Sequence, residues 1–170
     1  MRSISLVTGL LMAALFFTPA LSAAQDLDFK LGPRATLELG DLEVIADFGV
    51  GADVRADVED LPVDLHGAFS FYFADDPWTV FAIDLNAVFP FEVEDQNLTP
   101  YAGGGLGFTR LSFDGADTGF FGGGSSTEVG LNLVGGVEFE LDSITPFAQA
   151  QFTTGSPDRF GLTGGLLFDI

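Results

Sequence analysis

Residues 41–58 read DLEVIADFGVGADVRADV. The even positions, Leu42, Val44, Ala46, Phe48, Val50, Ala52, Val54, Ala56 and Val58, are all apolar. The odd positions, Glu43, Ile45, Asp47, Gly49, Gly51, Asp53, Arg55 and Asp57, are mostly charged or minimal. Successive side chains of a strand point to opposite faces, so the alternation predicts one strand with an apolar face and an acidic face. Unbroken over the whole stretch, it would far exceed the roughly five or six residues of an ordinary strand. Such a strand suits a membrane-spanning barrel, whose apolar face meets lipid and whose polar face lines the interior.

The composition fits that reading. The chain of 170 residues carries 25 Asp plus Glu against 6 Lys plus Arg, yet 47% of it is hydrophobic and it has 19 Phe. Acidic disordered chains are poor in apolar residues, so charge and hydrophobicity must here be sorted by face. The negative balance argues against a nucleic-acid partner, and against anionic lipid head groups unless divalent cations intervene. Arg2, an apolar run over 6–17, Pro19 and the small residues of 20–24 read as a secretory signal. This predicts a signal peptide at 1–24 and a single barrel domain at 25–170. The apolar run is well short of the roughly 20 residues of a spanning helix. The chain has no Cys, which rules out a disulfide or a lipid-modified cysteine.

The rest of the chain repeats the alternation. Over 28–39 the odd residues are apolar and the even ones, among them Lys30, Arg34 and Glu38, polar; Gly40-Asp41 is the expected short turn, and Pro33 implies a bulge or imperfect pairing. A third strand runs to about Ala74, with Phe69, Phe71 and Phe73 opposite Asp64, His66 and Ser70. The fourth, from Trp78 to about Glu92, sets Phe81, Leu85 and Phe89 against Asp84 and Asn86. Trp78 near one end, and Phe89 and Phe91 near the other, take the positions of aromatic girdles, to which Phe168 belongs as well. A fifth strand opens at Thr99, and its pattern slips near Arg110, read as a bulge or as exit from the membrane zone. Gly-rich 114–126 is the longest connection. A sixth strand over 127–141 opposes Val129, Leu131 and Leu133 to Glu128, Asn132, Glu138 and Glu140; a seventh covers 144–153 and an eighth 159–170. Gly-Gly-x-x-Phe recurs at 104–108, 135–139 and 164–168, each Phe falling on the apolar face. The expected fold is all-β, an eight-stranded antiparallel up-and-down transmembrane β-barrel; if both termini are periplasmic, 114–126 lies outside.

The run Pro100-Tyr101-Ala102-Gly103-Gly104-Gly105-Leu106-Gly107 is similar to the Pro-Tyr-x-Gly-x-Gly strand of small outer-membrane β-barrel proteins of the OmpA/OmpX type. With the amphipathic last strand, the chain resembles that porin-like family over 27–170. The resemblance implies the cell outer membrane of a Gram-negative envelope, contact with lipid and lipopolysaccharide, and assembly by machinery that reads the C-terminal strand. Family members usually end on Phe, whereas this chain reads Phe168-Asp169-Ile170.

Candidate chemistry is sparse. Asp64, His66 and Ser70 share a strand face, but His66 and Ser70 stand roughly 13 Å apart and cannot form a hydrogen-bonded pair. Barrel-type lipid A deacylases, by resemblance, pair His and Ser two residues apart, and here the interval is four. Gly103, Gly105 and Gly107 lack phosphate-loop spacing and more readily make room for side chains from across the lumen. The acidic clusters lack EF-hand spacing, leaving weak divalent-cation binding and no cofactor. The predicted site is a lumen charge network of Lys30, Arg34, Glu38, Glu43, Asp47, Asp53, Arg55, Asp84, Glu128, Glu138, Glu140 and Arg159. An eight-stranded barrel has room inside for its own side chains and little more. The expected protein is therefore not an enzyme but an integral barrel with a filled, acidic lumen and a structural or surface-contact role. The alternatives are a narrow cation-preferring passage and a soluble lipocalin-like carrier of a hydrophobic ligand.

Overall fold

The computed structural model describes residues 27–58, 61–94, 97–113 and 124–170; the predicted signal peptide and most of the 114–126 connection lie outside these. Eight strands follow in chain order: β1 Leu27–Glu38, β2 Phe48–Val58, β3 Asp64–Phe73, β4 Trp78–Pro90, β5 Leu98–Phe113, β6 Gly124–Phe139, β7 Thr145–Thr153 and β8 Arg159–Asp169. Each pairs antiparallel with the next, and β1 pairs with β8, so the sheet closes into a barrel. One end carries the chain termini. We call the opposite one the loop end.

The period-two pattern sorts the side chains as expected. Leu85, Leu106, Leu131 and Leu162 point outward and stay exposed, while Asp53, Asp84, Asn132 and Thr163 point inward and are buried. The aromatic positions fall at both ends. Phe89 and Phe91 meet edge to face at 5.4 Å toward the terminal end, where Phe168 also lies, and Trp78 begins β4 at the loop end. There Phe48 stacks on Phe73 at 5.9 Å, a cluster the sequence reading did not single out.

The opening stretch is where structure and expectation part. Only its second half is strand. Asp41–Val44 forms one turn of 3₁₀ helix, and β2 begins at Phe48. Leu42 and Ala46 are even-numbered, as a strand would have them, but they are also four apart, as a helix would. They turn into the mouth of the barrel and pack on Tyr72, Val80, Ala82 and Leu111, leaving Leu42 fully buried. The Glu38 amide donates to the Asp47 carbonyl at 2.8 Å and the Asp75 amide to that of Ile45 at 3.2 Å, which pins the loop inward. An extended course would have turned Leu42 and Ala46 outward, away from the barrel mouth. The inward fold buries them as an apolar plug.

The same plug accounts for the slip near Arg110. Pairing of β5 with β4 and β6 runs unbroken to Phe113, so there is no bulge. Leu111 keeps the inward direction of its strand and is apolar because it meets Leu42 and Val80. At Pro33 the pairing with β2 is continuous, whereas the β8 partners skip Gly32 and Pro33 and resume in the same register, an imperfect pairing without a bulge. Strands β5 and β6 pair over their full lengths, but β6 meets β7 only from Asn132 to Glu138. At the loop end β6 therefore runs on past β7 and is paired there with β5 alone.

Candidate functional site

Below the plug, the lumen is occupied by polar side chains held in crossing pairs. Arg34 donates to Asp53 at 3.1 Å and to the Thr163 hydroxyl at 3.0 Å. Arg55 donates to Asp53 at 3.1 Å, pairs with Glu138 and lies over the Phe147 ring at 4.1 Å. Arg159 donates to Asp84 at 2.6 Å and to the Tyr72 hydroxyl at 3.3 Å, while Tyr72 itself donates to Glu38 at 2.7 Å. Lys30, nearer the terminal end, lies 3.3 Å from Glu140 and 3.6 Å from Glu138.

Three residues expected in this network are elsewhere, and a fourth, Glu140, sits at its margin. Glu43 sits on the 3₁₀ turn and Asp47 just before β2, both exposed at the loop end, because the strand that would have aimed them inward starts only at Phe48. Glu128 is half-buried toward the loop end and accepts from the Ser126 hydroxyl at 2.7 Å. Glu140 lies beyond β6 and is exposed.

The charge inside is close to balanced. Arg34, Arg55 and Arg159 face the buried carboxylates Glu38, Asp53, Asp84 and Glu138, so much of the acid surplus lies outside the buried interior. Among the described residues, Glu38 has no ion pair and relies on Tyr72. Buried charge is tolerated when it is paired and its remaining donors are met.

Neutral groups bind these pairs together, and several were not anticipated. Asn132 donates to Asp84 at 3.2 Å and to Asn86 at 2.9 Å, Asn86 donates to Gln151 at 3.0 Å, and Tyr101 donates to Gln149 at 2.9 Å. Residues 145, 149, 151 and 153 of β7 are polar and buried, alternating with outward Ala148, Ala150 and Phe152. The period-two signal used elsewhere would have found them. Gly107 makes room for this network, since a Cβ there would lie 2.6 Å from the Asn132 amide oxygen and 2.9 Å from Asp84. Gly103 and Gly105 instead admit the backbone of β4.

Asp64, His66 and Ser70 share the inner face of β3 without forming a relay. Ser70 is fully buried near the plug, with no hydrogen-bond partner among the described residues, and His66 packs edge-on to Tyr101 at 5.0 Å. Among those residues no group of three metal-ligating side chains could hold an ion.

The sequence matches the family model of the outer membrane protein beta-barrel domain over residues 8–148. No curated protein matches it. The structure is similar to the N-terminal beta-barrel domain of Pseudomonas aeruginosa OprF, with TM-score 0.66 and 15% identity over 86% of this chain and 100% of that one. It is also similar to Ail, the attachment invasion locus protein of Yersinia pestis, with TM-score 0.61 and 13% identity over 85% and 97%. A major outer membrane protein from Thermus thermophilus gives TM-score 0.57 and 11% identity over 85% and 100%. At such identities the likeness is one of fold.

Proposed function

The chain belongs to the outer membrane protein beta-barrel family and resides in the outer membrane, and from this we propose that it is a non-enzymatic, non-conducting barrel serving envelope structure or surface contact through its loop end. The observation that carries the reading is the set of side chains lying across the lumen. Polar pairs cross it at several levels and an apolar plug covers them. A protein that cannot pass solute through its centre acts through its surfaces, and loops held on a rigid barrel are the usual place for contact.

Its partners on this reading are lipid and lipopolysaccharide around the outward face, and the assembly machinery at β8. Divalent cations would bind weakly at acidic loop-end residues such as Asp75 and Asp76. A narrow cation passage draws support from the acidic composition, but the nearly balanced interior offers little to select cations. The carrier alternative needs an apolar interior, and the buried groups here are mainly polar.

The test is complementation of cells lacking the chain, with the native protein or with a variant whose residues 115–122 are replaced by a short Gly-Asn turn. The variant is expected to reach the outer membrane yet fail to restore detergent resistance or surface attachment. Full complementation by the variant would contradict the loop-end role.

A further inference from the structure

The plug packs into the loop end, but at the terminal end the lumen widens into an open vestibule of about 1110 Å³. We propose that this vestibule binds a linear oligoamine, a flexible chain of ammonium groups joined by methylene spacers.

Its charge is the first argument. The lining includes seven acidic side chains and two basic ones, Lys30 and Arg55. Both cations are engaged by Glu138, and Lys30 by Glu140 too. The other five acids, Asp28, Asp57, Asp64, Glu92 and Asp169, have no hydrogen bond or ion pair among the described residues. Opposite charges brought together in a partly enclosed site attract more strongly than on an open surface.

The arrangement selects the shape of the ligand. Asp28 stands opposite Asp57 in the β1–β2 register, and Asp57, one step beyond the Ala56–Leu65 pair, stands opposite Asp64. Neighbouring strands lie about 5 Å apart, so the three carboxylates form a row about 10 Å long. They do not converge on a point, and no group of three ligating side chains among the described residues could hold a metal ion. A row of separated anions is matched by separated cations on one chain. Leu61 and Leu98, which also line the vestibule, supply apolar surface for the methylenes between.

His66 supplies an independent argument. It lines the vestibule, is only 6% exposed, and has no hydrogen-bond partner among the described residues. The edge of the Tyr101 ring supports it from the side. A neutral imidazole keeps one nitrogen lone pair, an acceptor for an N–H donor. Asp64, two residues away on the same face and about 7 Å along the strand, would share the ammonium group's neighbourhood.

The test is calorimetric titration of spermidine into the whole protein in zwitterionic detergent at physiological ionic strength, with magnesium chloride as the ionic control. The expected result is saturable binding that magnesium does not reproduce. The Asp57→Asn/Asp64→Asn pair should weaken it by about tenfold or more, and Glu43→Gln/Asp47→Asn at the loop end should leave it unchanged. His66 is the sole histidine, so its ring resonances report occupancy in the native protein without any variant. They should move and saturate with spermidine. Absence of saturable binding, equal binding of magnesium, or His66 resonances that stay fixed throughout would overturn the proposal.

Discussion

Arg159, the first residue of β8, holds Asp84, in the middle of β4, at 2.6 Å. In a closed ring of eight strands β4 and β8 are diametrically opposed, so this pair spans the lumen. Arg55 and Glu138 do the same between β2 and β6, which are also opposed. Two crossings near right angles in strand order brace the barrel from within, and each lies across its axis.

Both partners of the first crossing have side chains only 3% exposed. Arg159→Ala strands Asp84 without its cation and is expected to cost about 3–5 kcal/mol. Replacing both, as Arg159→Met/Asp84→Leu, should recover most of that loss, because paired burial contributes little net stability. Denaturant unfolding in detergent micelles measures the difference. Equal losses in the single and double variants would contradict the pairing.

Glu38 should behave in the opposite way to Asp84. Its carboxylate accepts from Tyr72 but has no guanidinium contact, so Glu38→Gln keeps an acceptor and removes an uncompensated charge. The expected change in stability is within about 1 kcal/mol, or favourable, whereas Asp84→Asn leaves Arg159 unpaired and should cost about 3–5 kcal/mol. The same unfolding assay ranks the two.

Leu42 and Val44 separate plug from strand. On a continuous strand both would point to lipid and respond alike. In the plug Leu42 is fully buried while Val44 is 87% exposed. Leu42→Ala is expected to destabilise by about 2–5 kcal/mol, and Val44→Ser to change stability by no more than about 0.5 kcal/mol. A similar response at the two positions would restore the strand.

The outward face has its own test. Leu85 is 54% exposed midway along β4 and pairs with Leu106 of β5, itself outward. Leu85→Arg sets a charge in the hydrocarbon zone and is expected to cost about 2–4 kcal/mol. The yield of the SDS-resistant, heat-modifiable band from outer-membrane fractions reads it out. An unchanged yield would mean that this face does not meet lipid.

Alternation made most of the barrel legible, since one period assigns both faces of a strand whose two sides meet lipid and lumen. It placed Leu85 outward and Asp84 inward, and set Arg34, Asp53, Arg55 and Arg159 on one side of the wall. It misread residues 41–47 because Leu42 and Ala46 satisfy strand and helix spacing together, and the choice between them depends on Val80 and Leu111, far away in sequence. For the same reason Leu111 read as a slip, and Glu43 and Asp47 read as lumen groups. Partner choice was not legible at all. That Arg55 reaches Glu138, and Gln149 reaches Tyr101, follows from the stagger of the closed sheet, which no single strand carries.

Single-channel recording of the folded protein in planar lipid bilayers asks whether the filled lumen is shut. Electrically silent insertion is expected both for the native chain and for Leu42→Ala, because the Arg159–Asp84 and Arg55–Glu138 crossings remain beneath the plug. Stable unitary conductance of the native chain, lost when Asp84 or Glu138 is neutralised, would contradict it.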